Sequence, residues 1–232
     1  MISQCSKMSK LKIIPSHIGN ISDISTHIVE SIKECDFIAC EDTRVTGILL
    51  KKLGIEKKEF LSYTEFNQQK KTPYIAERIL KGEVGGLMTD AGTPLVSDPG
   101  FYLVRECIEK GIIIESVPGP SAVITALTGS GLPTDSFAFY GFLPKKEGKK
   151  KEKLKEAMLR NETAIFFESP YRIDKTLTAI SELEGERRVV VARELTKRFE
   201  EYIRGTASDI LEAKWERKGE IVLLIYGGRI DK

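Results

Sequence analysis

Two clusters of this sequence hold residues suited to chemistry. One is Glu41-Asp42-Thr43-Arg44, two carboxylates and an arginine; the other is Asp90-Ala91-Gly92-Thr93-Pro94, a single carboxylate opening a loop of small residues. A positioned carboxylate can accept a proton. An arginine can grip a phosphate through two parallel hydrogen bonds, and a glycine lets backbone close on a ligand. Downstream, Glu168 and Arg172 and then Arg193-Glu194 offer the same types of group. These four read equally well as an ion-pair network between domains. Asp42 or Thr43 also reads as a helix cap, which accounts for the acid but not for Arg44, a cation opposing the helix dipole. A lysine run, Lys145, Lys146, Lys149, Lys150, Lys151, Lys153 and Lys155, supplies cations for phosphate. Such runs more often only solvate a helix face.

The positioning elements follow from hydrophobic patterning. Short apolar runs at Leu11–Ile14, Phe37–Cys40, Glu59–Tyr63, the stretch ending at Leu87-Met88, and Ile112–Val117 read as strands. Helical spacing fills the gaps: Ile28, Ile32 and Cys35; Val45 to Leu53, closed by Gly54; and Ile75, Ile79 and Leu80. Strands alternating with helices imply a parallel sheet with helices on both faces, whose carboxyl edge takes ligands. Ser97-Asp98-Pro99 reads as a helix start, with a capping side chain before a first-turn proline. Pro118-Gly119-Pro120-Ser121 is a second loop of the same kind, opening a helix at Ala122. Two such loops at consecutive strand ends suggest two walls of one crevice. Neither has a dinucleotide or triphosphate pattern, so residues alone leave its ligand open.

Beyond Gly131-Leu132-Pro133-Thr134-Asp135 the pattern changes. Phe137–Tyr140 is rich in aromatics and Gly141–Pro144 reads as a hinge. Further strands are expected at Ala164–Phe167, Arg188–Ala192, Glu201–Ile203 and Glu220–Ile225, with helices around Lys175–Leu183 and Ser208–Trp215. The short gap from Ala192 to Glu201 allows an antiparallel pair, hence a mixed sheet. The expected fold is two α/β domains, residues 11–136 and 137–232.

Composition narrows the partners. Lys plus Arg number 36 and Asp plus Glu 34, so no overall field draws nucleic acid and any RNA contact is local. Cys5, Cys35, Cys40 and Cys107 have no metal or disulfide spacing and read as reduced thiols; His17 and His27 form no zinc set. The polar stretch Met1–Lys10 lacks a signal-peptide core, and no apolar run approaches the roughly 20 residues that span a bilayer. A cytoplasmic, metal-free protein is expected.

The segments Ile14–Asn20, Glu41–Arg44, Thr89–Pro94, Pro118–Ser121, Gly131–Asp135, Gly141–Pro144, Phe167–Pro170, Ala192–Lys197 and Lys218–Val222 together carry a resemblance over nearly the whole chain. The chain resembles the tetrapyrrole methylase superfamily, and within it the bacterial 16S rRNA (cytidine-2′-O)-methyltransferase family. Members usually carry Thr-Pro where Ser16-His17 stands, and histidines where Thr64 and Phe66 stand. The resemblance implies an S-adenosylmethionine-dependent enzyme with its cofactor cleft between the domains. That cofactor would meet Ile18, Asp90, Gly92, Thr93, Ser121, Ala122, Phe167 and Glu220. Glu41, Asp42 and Glu168 are then candidate bases, and Arg44, Arg172, Arg193, Lys145, Lys146 and Lys149 candidate contacts to small-subunit rRNA. A homodimer is also implied. A small-molecule, tetrapyrrole-type methylase and a non-catalytic RNA-binding module of the same fold are the alternatives.

Overall fold

The computed structural model describes residues 9–228; Cys5 lies outside them. The chain forms two compact units, one ending at Ser121 and the other beginning at Ala122.

The first unit is a five-stranded parallel sheet of β1 (Lys10–Ile14), β2 (Phe37–Cys40), β3 (Glu59–Ser62), β4 (Val84–Met88) and β5 (Ile113–Ser116). The strands lie in the order β3-β2-β4-β1-β5. Helices α1 (Thr26–Glu34), α2 (Thr43–Lys52), α3 (Gln68–Leu80) and α4 (Phe101–Glu109) join them. Alternate strand residues feed two cores, as the pleat requires. Leu11, Ile13, Phe37 and Leu87 meet Ile75, Ile79 and Leu103, while Ile14, Ile38 and Met88 meet Ile28, Ile32 and Leu50 on the other face. The one charge within β1's buried stretch is Lys12, 2% exposed, which reaches Glu34 at 2.6 Å and Glu115 at 2.7 Å. Burial works against its charge, but the bonds to the two carboxylates outweigh it and raise the ammonium pKa.

The second unit holds a mixed sheet of β6 (Phe137–Phe142), β7 (Thr163–Glu168), β8 (Val189–Arg193), β9 (Glu201–Gly205) and β10 (Ile221–Tyr226). The strands lie in the order β6-β7-β10-β8-β9, and β8 and β9 are the antiparallel pair that their short gap allows. Helices α6 (Glu147–Met158), α7 (Ile173–Glu184) and α8 (Ala207–Glu212) cover a core of Phe166, Val191, Leu223, Leu154, Leu177 and Ile210. Helix α5 (Ala122–Ser130) packs against β8, β9 and β10. The Tyr202 hydroxyl donates to the Thr125 carbonyl, and a Cβ on Gly129 would come within 2.3 Å of that hydroxyl oxygen. The Arg204 guanidinium donates to the carbonyls of Gly129 and Ser130, placing a cation at the negative end of the helix.

Two local expectations are corrected. The stretch read as a hinge, Gly141–Pro144, begins inside a strand: with the aromatic run before it, Gly141 and Phe142 form edge strand β6, paired in parallel with β7. Its register shifts between Phe139 and Phe142, where Gly141 takes a positive φ of 66°. The second correction concerns Ser97-Asp98-Pro99. Helix α4 begins later, at Phe101, behind Gly100 at φ 147°, with no side-chain cap. Leu95 and Ser97 take left-handed φ values of 72° and 69°, turning the chain so that the Asp98 carboxylate accepts from Thr89 instead.

Candidate active site

In the first unit the chain moves from β1 to β2 and β3 on one side, then returns to β4 and crosses β1 to reach β5. The carboxyl ends of β1 and β4 therefore flank the reversal of strand order, where an open α/β sheet has its crevice. The loops leaving β1, β4 and β5 are tied together there. The Ser16 amide donates to the Gly92 carbonyl at 2.8 Å, the Gly92 amide to the His17 carbonyl at 3.3 Å, and the Thr93 hydroxyl to the Pro120 carbonyl at 2.9 Å. Ile18, Asp90, Gly92 and Thr93 thus belong to one layer, with Ser121 next in chain to Pro120. Gly92 sits at φ 72°, and a Cβ there would lie 3.3 Å from Ile18 Cγ2. His17 Nδ1 is buried with no hydrogen-bond partner among the described residues. Burial lowers the His17 pKa, with Lys52 adding to the effect and Asp23 opposing it.

The carboxylates of this edge are not alike. Asp42 caps α2, accepting from the Arg44 amide at 2.8 Å and gripping the Arg44 guanidinium through both oxygens. Those bonds hold its pKa down to about 2, so it is a weak base. Asp90 accepts the Asp42 amide at 3.2 Å; burial, and then the Asp42 charge, raise its pKa. Glu41 is exposed, yet partial desolvation raises its pKa, helped by the charges of Asp90, Glu65 and Asp42. It has no hydrogen bond or ion pair to a described residue. Among the three it is the one free to accept a proton and tuned upward to hold it. Arg44 is 86% exposed at its side chain, with one edge engaged by Asp42.

Asp98 is the titratable residue that sequence reading assigned to a helix start. Burial pushes its pKa up to about 6, and the Glu41 and Asp90 charges push the same way, against the bond from Thr89. The sign for stability follows. A carboxyl whose folded pKa lies above its unfolded value favours the folded state when protonated, and that contribution is lost as pH rises through about 6. Asp98→Asn is therefore expected to stabilise the protein at pH 7–8 by up to about 2 kcal/mol, discounted for the solvent reaching this half-buried side chain. The gain should vanish below about pH 4. Urea unfolding of both proteins across that range checks the sign.

In the second unit, Glu168 ends β7 and Arg193 ends β8, both in register with Ile221 of the strand between them. Glu168 is buried and accepts from the Ser169 amide at 2.7 Å, the Thr176 hydroxyl at 2.8 Å and the Arg172 guanidinium at 2.5 Å. Arg172 also donates to the Leu143 carbonyl. Arg193 is buried, reaching Glu201 at 3.0 Å and the Phe199 carbonyl at 2.9 Å, with its Nε unpartnered. Glu220 holds Lys197 at 2.7 Å, and Lys197 also bonds Glu194. The rings of Phe139 and Phe142 meet Phe167 edge-on at 4.9 and 5.5 Å. Ala122 is the first residue of α5. Of the lysine run, Lys150 is buried, Lys151 pairs with Glu182 and Lys153 with Glu156. Lys145, Lys146 and Lys149 are exposed and form no ion pair with a described residue.

Among the described residues there is no group of three or more potential metal ligands, and no helix long and apolar enough to cross a membrane. Cys35, Cys40 and Cys107 are buried free thiols, with Cys35 and Cys107 pushed up to about 12 and Cys40 to about 11, chiefly by burial.

Comparison with known proteins supplies the ligand class. The family model for Tetrapyrrole (Corrin/Porphyrin) Methylases matches residues 10–211. A Hydrogenobaculum protein named ribosomal RNA small subunit methyltransferase I is 47% identical over 93% of this chain and 95% of its own. A Vibrio cholerae protein of the same name is 45% identical over 94% of this chain and 77% of its own. At the level of fold, the methyltransferase CobJ superposes with a TM-score of 0.69 at 16% identity, covering 93% of each chain. Thermus thermophilus uroporphyrin-III C-methyl transferase, in complex with S-adenosyl homocysteine, gives 0.63 at 17%, covering 93% of this chain and 96% of its own. The residues fit such a cofactor: a bare glycine backbone at Gly92 and an orphaned buried imidazole nitrogen on His17 stand at the reversal point. The chain belongs to the tetrapyrrole (corrin/porphyrin) methylase family and is an S-adenosylmethionine-dependent methyltransferase.

Proposed function

We propose that this enzyme methylates the ribose 2′-hydroxyl of a decoding-centre cytidine in small-subunit rRNA, acting in the cytoplasm as a homodimer. The observation that carries this reading is the 45–47% identity, over at least 93% of the chain, to relatives named for small-subunit rRNA methylation. When bound, S-adenosylmethionine supplies an electrophilic methyl on a sulfonium, and the reaction leaves a neutral thioether. Ile18, Asp90, Gly92, Thr93 and Ser121 are the first unit's contacts to it, with Ala122, Phe167 and Glu220 those of the second.

The chain's own task is alignment and proton removal. Glu41 accepts the hydroxyl proton as the oxygen–methyl bond forms. Arg44 offers its outer guanidinium edge to a neighbouring phosphate while Asp42 fixes its inner edge. Arg172 and Arg193 are spent largely on Glu168, Glu201 and backbone, which weakens their claim on phosphate. Lys145, Lys146 and Lys149 carry the longer-range attraction. Ribose-methyl mapping of rRNA from cells with and without the gene tests the reading, with methylation of isolated particles as the in vitro arm. An unchanged map and inert particles overturn it. Light scattering that returns a single-chain mass would remove the dimer.

Two variants test the parts separately. Gly92→Val places a branched side chain at a left-handed φ and against Ile18, so calorimetric cofactor affinity should fall by tenfold or more; Ser121→Ala, which leaves the backbone intact, should change it far less. Changing Lys145, Lys146 and Lys149 to glutamine should leave cofactor affinity unchanged. It should flatten the logarithmic salt dependence of particle binding by about 0.7–0.9 for each phosphate that is no longer neutralised.

A further inference from the structure

The loop after β3 holds a residue that the fold does not use. Strands β2 and β3 run parallel with Cys40 opposite Ser62, and the Tyr63 amide extends the ladder by donating to the Cys40 carbonyl at 2.8 Å. The loops beginning at Glu41 and at Tyr63 therefore leave the sheet side by side. The second is firmly built. Tyr63 is buried, its hydroxyl sharing a 2.8 Å hydrogen bond with Thr72. Asn67 accepts the Thr64 amide at 2.9 Å and donates to the Ser62 carbonyl, while the Asn67 and Gln68 amides return to the Thr64 carbonyl. Inside this pinned turn Phe66 is 98% exposed.

An exposed apolar side chain needs no explanation in itself. Here three further facts bear on it. The ring rides on a fixed turn, so its display costs little ordering on contact with a partner. The turn lies at the candidate base, since the charge of Glu65 is one of those acting on Glu41. Its neighbour across the strand pair is the short turn from Glu41 into α2, whose first turn carries Arg44, a guanidinium fixed by Asp42 and exposed on its other edge. Yet the edge as a whole is acidic, with Glu41, Asp42, Glu65 and Asp90 against Arg44. Coulomb attraction alone does not seat an RNA strand there. A contact independent of charge is needed, and a flat aromatic face beside an arginine is what unpaired bases stack on.

Resting on the methylation reading above, we propose that Phe66 is a stacking platform for an unpaired nucleobase and, with Arg44 on the adjoining phosphate, presents the target ribose to Glu41. The partner is single-stranded RNA, because a base paired in an A-form helix is already stacked and does not offer its face.

The test uses the full chain, a fluorescent unpaired oligoribonucleotide, and the same strand annealed into a duplex. Phe66→Ala should weaken binding of the unpaired strand on the order of tenfold, by about the same factor at low and at high salt, with little effect on the duplex. The lysine variant should instead change the salt slope. Phe66→Trp should keep the affinity, and its emission, read above that of the chain's single native tryptophan Trp215, should be quenched by the unpaired strand. Cofactor affinity should be unchanged in both. The platform is overturned if Phe66→Ala binds the unpaired strand like wild type, if it loses unpaired and duplex RNA alike, or if the wild type binds no unpaired strand. It is overturned as well if the substitution converts dimer to monomer at unchanged RNA affinity, since the ring would then be covered by a second copy. Particle methylation by the wild type, run alongside, separates the two readings. Methylation with an indifferent Phe66→Ala sinks the platform alone, and stacking without methylation sinks the rRNA assignment alone.

Discussion

Glu41→Gln is expected to slow methyl transfer to ribosomal particles by about 10²–10⁴-fold while leaving cofactor affinity and unfolding midpoint close to wild type. The expectation comes from comparing the carboxylates of one sheet edge. Asp42 is already engaged by Arg44 at amide and guanidinium and is held down to about 2. Asp90 is committed to the Asp42 amide. Glu41 is unbonded, exposed and raised by partial desolvation and by Asp90, Glu65 and Asp42. A base must be ionised to act, so the wild-type rate should rise with pH through a carboxyl pKa above the ordinary range. That limb should disappear in Glu41→Gln. Removing one neighbouring charge, as in Glu65→Gln, should move the limb to lower pH, because less repulsion opposes ionisation. Single-turnover rates across pH on the three proteins are the measurement. A Glu41→Gln enzyme with the wild-type rate and limb would exclude this residue as the base.

Much of the scaffold that places Glu41 was legible in the chain. Periodicity marks β1 to β5 and the helices among them, because the central strands β1, β2 and β4 are buried on both faces and each helix buries one. Gly54 takes the left-handed φ of 66° expected of a helix stop, and the gap from Ala192 to Glu201 is closed by an antiparallel pair. The misses share one cause: a local signal overruled by a distant partner. Ser97-Asp98-Pro99 has the spacing of a helix start, but Thr89 takes the Asp98 carboxylate, and Leu95 and Ser97 adopt left-handed backbone to deliver it. Phe137–Phe142 carries a glycine that looks like a hinge, yet Phe139 and Phe142 both pack on Phe167 of the next strand, and Gly141 absorbs the register shift. Even the lysine run is divided by context, since Lys150 is buried and Lys151 and Lys153 find carboxylates. Charge counting cannot see which cations remain free.

Glu168 is the complement of Glu41, and its removal should damage the fold more than the chemistry. Its carboxylate is buried at the end of β7 and accepts from Ser169, Thr176 and Arg172, tying the strand to the first turns of α7. Glu168→Ala leaves an amide, a hydroxyl and a guanidinium short of a partner at one buried point. Breaking a buried pair in this way costs about 3–5 kcal/mol. Because Arg172 is 25% exposed at its side chain and keeps its bond to the Leu143 carbonyl, the lower end of that range is expected. Glu168→Gln retains the shape and one acceptor, so it should fall between wild type and Ala. Adding Arg172→Leu to Glu168→Ala removes the orphaned cation, and the double variant should be more stable than the sum of the single losses by about 1 kcal/mol or more. Urea unfolding of wild type, Glu168→Ala, Glu168→Gln, Arg172→Leu and the double variant gives these differences. Single-turnover rates, corrected for the folded fraction, should stay within a few-fold of wild type in Glu168→Gln. A variant that unfolds like wild type but transfers methyl groups 10²-fold more slowly or worse would move the role of base from Glu41 to Glu168.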